Sequence, residues 1–160
     1  LALIARQAGF SLVELMVTLA VMAVLAAAGT PFALSWIDSN RQMQARNLMW
    51  EAVSQVRAQA LRNSGQVVLG QAAAQLQLSG NTLQVVRAGS NDVVWTGDLP
   101  SGARAKMVSA SGDAGDTLSC VAFSNRGLRL PAASGCTTGA EQSRIAIGLG
   151  NQDPLHVDLL

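Results

Sequence analysis

Gly9-Phe10-Ser11-Leu12-Val13-Glu14-Leu15-Met16 opens an apolar run that continues to about Leu34. Between Phe10 and Leu34 the only ionisable side chain is that of Glu14, among Leu, Val, Met and Ala. About 20 apolar residues in helical form cross the hydrocarbon core of a bilayer, so this run is long enough to span it. Glu14 is the anomaly. A carboxylate inside a spanning segment costs a few kcal/mol, less near the interface, and such a group normally has a partner. A plain anchor gains nothing from it.

Gly9-Phe10-Ser11-Leu12-Val13-Glu14-Leu15-Met16 resembles the class III signal of type IV pilins and type II secretion pseudopilins. The resemblance implies cleavage by a prepilin peptidase between Gly9 and Phe10, N-methylation of Phe10, and pairing of Glu14 with the N-terminal amine of a neighbouring subunit. Pro31 matches a proline that kinks the helix in this family. The physics agrees, because a buried carboxylate requires a buried cation and cleavage creates one in the same membrane layer. The competing reading is an ordinary signal anchor with a stray Glu.

Outward from this segment, Leu1 to Gly9 reads as a leader carrying Arg6 and no acid. That fits the positive-inside rule with the leader in the cytoplasm and the rest outside, and the resemblance implies a single-pass inner-membrane protein with a periplasmic domain. A length of 160 residues allows one N-terminal helix and one modest domain. Net charge is +1, and loss of Arg6 brings it near zero, which argues against nucleic-acid binding on global charge.

Residues 10–34 are expected as a transmembrane and assembly helix and residues 35–63 as its amphipathic continuation. Ala45, Met49, Ala52, Val53, Val56 and Ala60 recur at three- and four-residue spacing, with Arg41, Asn47, Glu51, Ser54 and Arg62 mostly off that stripe. Asn63-Ser64-Gly65 supplies stop chemistry, Gly65 being suited to a left-handed helix end, and a bend is expected near Pro31. The segment Leu48–Arg62 followed by Val67-Val68-Leu69 resembles the GspH/FimT branch, whose helix ends in an "L…AR-x-x-A-x-x-R" pattern before a first "V-x-L" strand. Val56 departs from the Ala that often precedes that Arg.

After Gly65 the period shortens. Gln66–Leu69, Ala74–Ser79, Thr82–Arg87, Val93–Thr96, Arg104–Ser109, Thr117–Ser124, Arg144–Leu149 and Leu155–Leu159 read as short strands. Ser79-Gly80-Asn81, Ala88–Asp92 and Gly112–Asp116 carry turn chemistry. The expectation is an α+β fold, with residues 64–160 forming an antiparallel sheet or sandwich packed on the long helix.

Cys120 and Cys136 are compatible with one disulfide in an oxidising compartment. A metal pair, disfavoured by the lack of nearby His or further Cys, and free thiols stay open. Resemblance to pilins, which commonly staple a C-terminal loop, favours the disulfide. Between the cysteines lies Asn125-Arg126-Gly127-Leu128-Arg129. Some FimT-like minor pilins bind DNA through a Gly-Arg-x-Arg motif near the C-terminus, and Arg126 and Arg129 are the candidates for such a role here. Their order departs from that motif, and no aromatic residue sits beside them to stack a base. A solvated loop or subunit contact is the plainer reading.

Catalysis finds no support. His156 is the lone His, and no nucleophile motif, phosphate loop, metal-ligand spacing or cofactor signature appears. Asp113 and Asp116 supply too few oxygen ligands for calcium. Trp36, Trp50 and Trp95 read as interface anchor, helix packing and domain core. The resemblance of Gly9–Pro31 and Leu48–Leu69 implies a non-enzymatic minor pilin or pseudopilin of GspH/FimT type, at or near a filament tip. Its implied partners are other pilins or pseudopilins, the prepilin peptidase and the inner membrane, with DNA uptake as the alternative function.

Overall fold

The computed structural model describes residues 9–90, 92–112, 114–133 and 135–159. The expected leader with Arg6 lies outside the described residues up to Ala8, as do Asn91 and Asp113 of two expected turns. The chain divides into two compact units between Ile37 and Asp38.

One helix, α1 (Leu12–Arg62, 51 residues), contributes to both units. In the first unit, apart from Glu14 and a few hydroxyl side chains, its surface is apolar. Thr18 and Thr30 return their hydroxyls to the carbonyls of Leu15 and Ala26, each at 2.8 Å, so neither presents an unsatisfied donor to an apolar medium. The helix is unbroken through Pro31. Having no N–H, Pro31 leaves the Ala27 carbonyl without its usual intrahelical donor.

In the second unit α1 becomes one-sided. Ala45, Met49, Ala52, Val53, Val56 and Ala60 are all buried, as their spacing requires, while Arg41, Asn47, Glu51, Ser54 and Arg62 are exposed. The helix end departs from the sequence expectation. Asn63, not Gly65, takes the left-handed conformation (φ 43°), and its side chain both accepts from the Val67 N–H (2.9 Å) and donates to the Val67 carbonyl (3.1 Å). Asn tolerates this region because its short polar side chain can bond locally.

Eleven strands follow among the described residues. They are β1 (Ala72–Ser79), β2 (Thr82–Arg87), β3 (Val93–Asp98), β4 (Arg104–Ser109), β5 (Ala114–Thr117), β6 (Cys120–Ser124), β7 (Arg129–Leu130), β8 (Ala132–Ala133), β9 (Cys136–Thr137), β10 (Gln142–Gly148) and β11 (Leu155–Asp158). They make a five-stranded sheet ordered β3-β2-β1-β6-β7, a four-stranded sheet ordered β11-β10-β4-β5, and the small pair β8-β9. All pairings are antiparallel.

The expected α+β class is therefore the observed one, with three corrections among the strands. Gln66–Leu69 is not a strand; Val68 and Leu69 stand exposed in a connecting loop and no partner strand meets them. The run Thr117–Ser124 is two strands, broken at Leu118-Ser119 where the chain crosses from the four-stranded to the five-stranded sheet. The Gly112–Asp116 stretch is only partly turn, because β5 begins at Ala114.

The larger apolar core joins the helix stripe to both sheets. Leu76, Leu83 and Phe123 from the first sheet and Met107, Ile145 and Ile147 from the second meet Met49 and Val56 of α1, nearly or fully excluded from solvent. Each such side chain contributes about 1.5–3 kcal/mol by burial. The alternation that buries Ile145 and Ile147 turns Arg144, Ala146 and Gly148 to the opposite face.

Candidate functional site

Gly9 and Phe10 precede the helix and are exposed, Phe10 at 81%. The Leu15 N–H donates to the Ser11 carbonyl at 3.1 Å, which makes Ser11 the residue that opens α1. Ser11 and Glu14 stand in the Ser-x-x-Glu spacing of a capping box, a signal readable in the sequence but overlooked beside the apolar run. Glu14 lies in the first turn, where the helix dipole presents partial positive charge and favours a carboxylate. It is exposed.

From Leu12 to Leu25 the large apolar side chains are 53–74% exposed, and none of the apolar window is buried within the chain. An apolar surface of this length gains its stability only from lipid or from other protein. Apolar helix, Glu14 and the exposed Phe10 thus sit on one segment whose surface calls for a cover from outside the chain.

The family model described as "Prokaryotic N-terminal methylation motif" matches residues 4–30. Over these residues the chain carries the N-terminal methylation motif. No curated protein sequence and no solved structure matches the chain. The matched stretch contains Gly9, Phe10 and Glu14 and ends just before Pro31.

The two cysteines are joined. Cys120 at the start of β6 and Cys136 at the start of β9 form a disulfide, with Cα atoms 5.7 Å apart. The bond ties the small β8-β9 pair to the five-stranded sheet, and Ala72, Ala122, Leu130 and Ala133 pack around it.

Arg126 lies on the turn between β6 and β7 and Arg129 opens β7, and the two are used differently. Arg126 is exposed. Arg129 Nη1 donates to Thr138 Oγ1 (3.1 Å) and the Gly139 carbonyl (3.2 Å), and Nη2 donates to the Ala140 carbonyl (2.7 Å). Burial lowers the pKa of Arg129 from its ordinary value. The loop does not present the two arginines as a matched pair.

Trp50 corrects another expectation, being 64% exposed on the face of α1 away from the core rather than packed. Trp36 is exposed as an interface anchor would be, and Trp95 is half-buried against the core. Among the described residues no cluster of three or more metal-ligating side chains occurs.

Proposed function

We propose that this chain is a minor pilin or pseudopilin of GspH/FimT type, a structural subunit that helps start assembly of a type IV pilus or type II secretion pseudopilus. The observation that carries the reading is one carboxylate, Glu14, in the first turn of α1 just after Gly9-Phe10, on a stretch that carries no other charge through Leu34. The precursor waits in the inner membrane with its globular domain in the periplasm. Peptidase cleavage between Gly9 and Phe10 frees the Phe10 amine, which is methylated. Glu14 then pairs with the amine of a neighbouring subunit and sets the axial register. The three bonds that hold Arg129 support a structural role for its loop over phosphate binding.

Mass spectrometry of the protein from cells with and without the peptidase tests the processing. A mature chain beginning at N-methylated Phe10 is expected only with the peptidase; an uncut chain in both strains overturns the reading. Deleting the gene then separates the two machines. Lost surface pili and twitching with intact exoprotein secretion identifies a pilus subunit, and the reverse identifies a secretion pseudopilin.

A further inference from the structure

The outward face of the four-stranded sheet carries a groove of about 580 Å³ that the assembly role does not use. It lies wholly within Asp38–Leu160 and is built by register. Ala146 on β10 pairs with Lys106 on β4 and with His156 on β11, making one row across the sheet. Gly148 pairs with Arg104 in the next row. In the row on the other side, Arg144 meets Asp158 at 2.7 Å and closes that end.

The floor is therefore Ala146 and Gly148, and a Cβ added at Gly148 would meet nothing within 4 Å. The walls are longer side chains from the two flanking strands. At about 4.8 Å per strand, wall stands from wall by about 10 Å, which admits an extended peptide but not an α-helix with its side chains. Arg104 and Lys106 are exposed, and neither is in an ion pair among the described residues. No Asp or Glu is among the groove's described lining residues, and Asp158 is engaged by Arg144.

We infer that this groove binds an extended acidic segment of another protein. Arg104 and Lys106 are two residues apart on one strand, so their cations project from the same face about 7 Å apart along it. An extended ligand with acids at alternate positions repeats at the same interval. Each carboxylate then meets one cation, and His156 across the trough offers a ring N–H. A nucleic acid fits less well, since no Phe or Trp lines the groove to stack a base and two fixed cations neutralise few phosphates.

The test uses the full chain in non-ionic detergent. Its probes are a fluorescein-labelled peptide of alternating Thr and Glu, the matching Thr/Gln peptide and a labelled oligothymidylate, followed by anisotropy. The Thr/Glu peptide is expected to bind and the other two to bind more weakly. Arg104→Ala or Lys106→Ala should each weaken binding about tenfold, the effect of losing one charge-assisted contact. Ala146→Trp, which fills the floor, should abolish it. Should that variant misfold by circular dichroism, Lys106→Glu at the exposed wall decides instead. Absence of Thr/Glu binding, equal binding of Thr/Gln, tighter binding of oligothymidylate, or indifference to the wall substitutions overturns the proposal. So does sedimentation showing that the same substitutions abolish self-association, which would make a second copy the occupant.

Discussion

Gln42 of α1 donates its side-chain amide to the Ile147 carbonyl at the end of β10, 2.9 Å away and 105 residues on, and to the Asp153 carbonyl at 2.7 Å. It is the only polar residue on the buried stripe of the helix. One amide thus fixes the helix against the last turn of the sheet, in a place where an unpaired carbonyl would cost about 1–3 kcal/mol.

Gln42→Met keeps the volume and removes both bonds. The globular domain should lose roughly 1–3 kcal/mol, seen as a melting temperature lower by roughly 5–10 °C. Gln42→Glu should be worse, since a carboxylate facing two carbonyls cannot donate to either. Equal melting of Gln42→Glu and wild type would show the bonds to be dispensable.

The disulfide closes a loop that, beyond the rest of β6, holds only the two-residue strands β7 and β8. Replacing Cys120 and Cys136 together by Ala should cost on the order of 3 kcal/mol in the chain-entropy account. Denaturant titration with and without a reductant checks this. Reduction should move the wild type to the midpoint of the double variant and leave that variant unmoved.

Arg129 and Arg126 should separate in the same titration. Arg129→Ala loses three acceptors' donor and should cost about 1 kcal/mol, while Arg126→Ala on the exposed turn should stay within roughly 0.5 kcal/mol of wild type.

Gly115 lies in β5, and a Cβ there would overlap the carbonyl oxygen of Met107 on β4. Backbone cannot swing aside as a side chain can, so Gly115→Ala should separate β5 from β4 and cost about 2 kcal/mol or more. Gly148→Ala, which meets open space, is the control and should be tolerated. Hydrogen exchange at Thr117, which pairs with Lys106, reads the separation directly.

What was legible in the sequence follows from how far each signal reaches. The apolar stripe Ala45–Ala60 announces itself through a 3.6-residue period, and all six of its members are buried. Gln42 sits on the same stripe three residues before Ala45, but polarity hid it, because its partners lie over 100 residues away. The break at Leu118-Ser119 was invisible because both flanks are β-prone and only the sheets decide which strand each half joins. Strands β7, β8 and β9, two residues each, are too short to show any alternation. Arg126 and Arg129 looked equivalent in the chain, and only Thr138, Gly139 and Ala140 distinguish them. The groove walls Arg104 and Lys106 drew no notice for the same reason: β11 and β10 complete the trough from 40 residues downstream or more.

Glu14 gives the sharpest test of the assembly role, because fold and function separate there. The side chain is exposed and belongs to the first unit, so Glu14→Ala should leave the melting temperature of the globular domain unchanged. On the proposed assembly role, incorporation into filaments should nevertheless fall steeply, because a neighbour's amine would be left without a counter-charge in an apolar layer. Glu14→Asp retains the charge but shortens the reach by one methylene, and should recover part of the loss. Glu14→Gln retains size and hydrogen bonding without charge, and should not. Immunoblots of sheared filament fractions beside membrane fractions read all three. A Glu14→Gln chain that enters filaments as well as wild type would show that shape alone carries the contact, and the electrostatic account of assembly would fall.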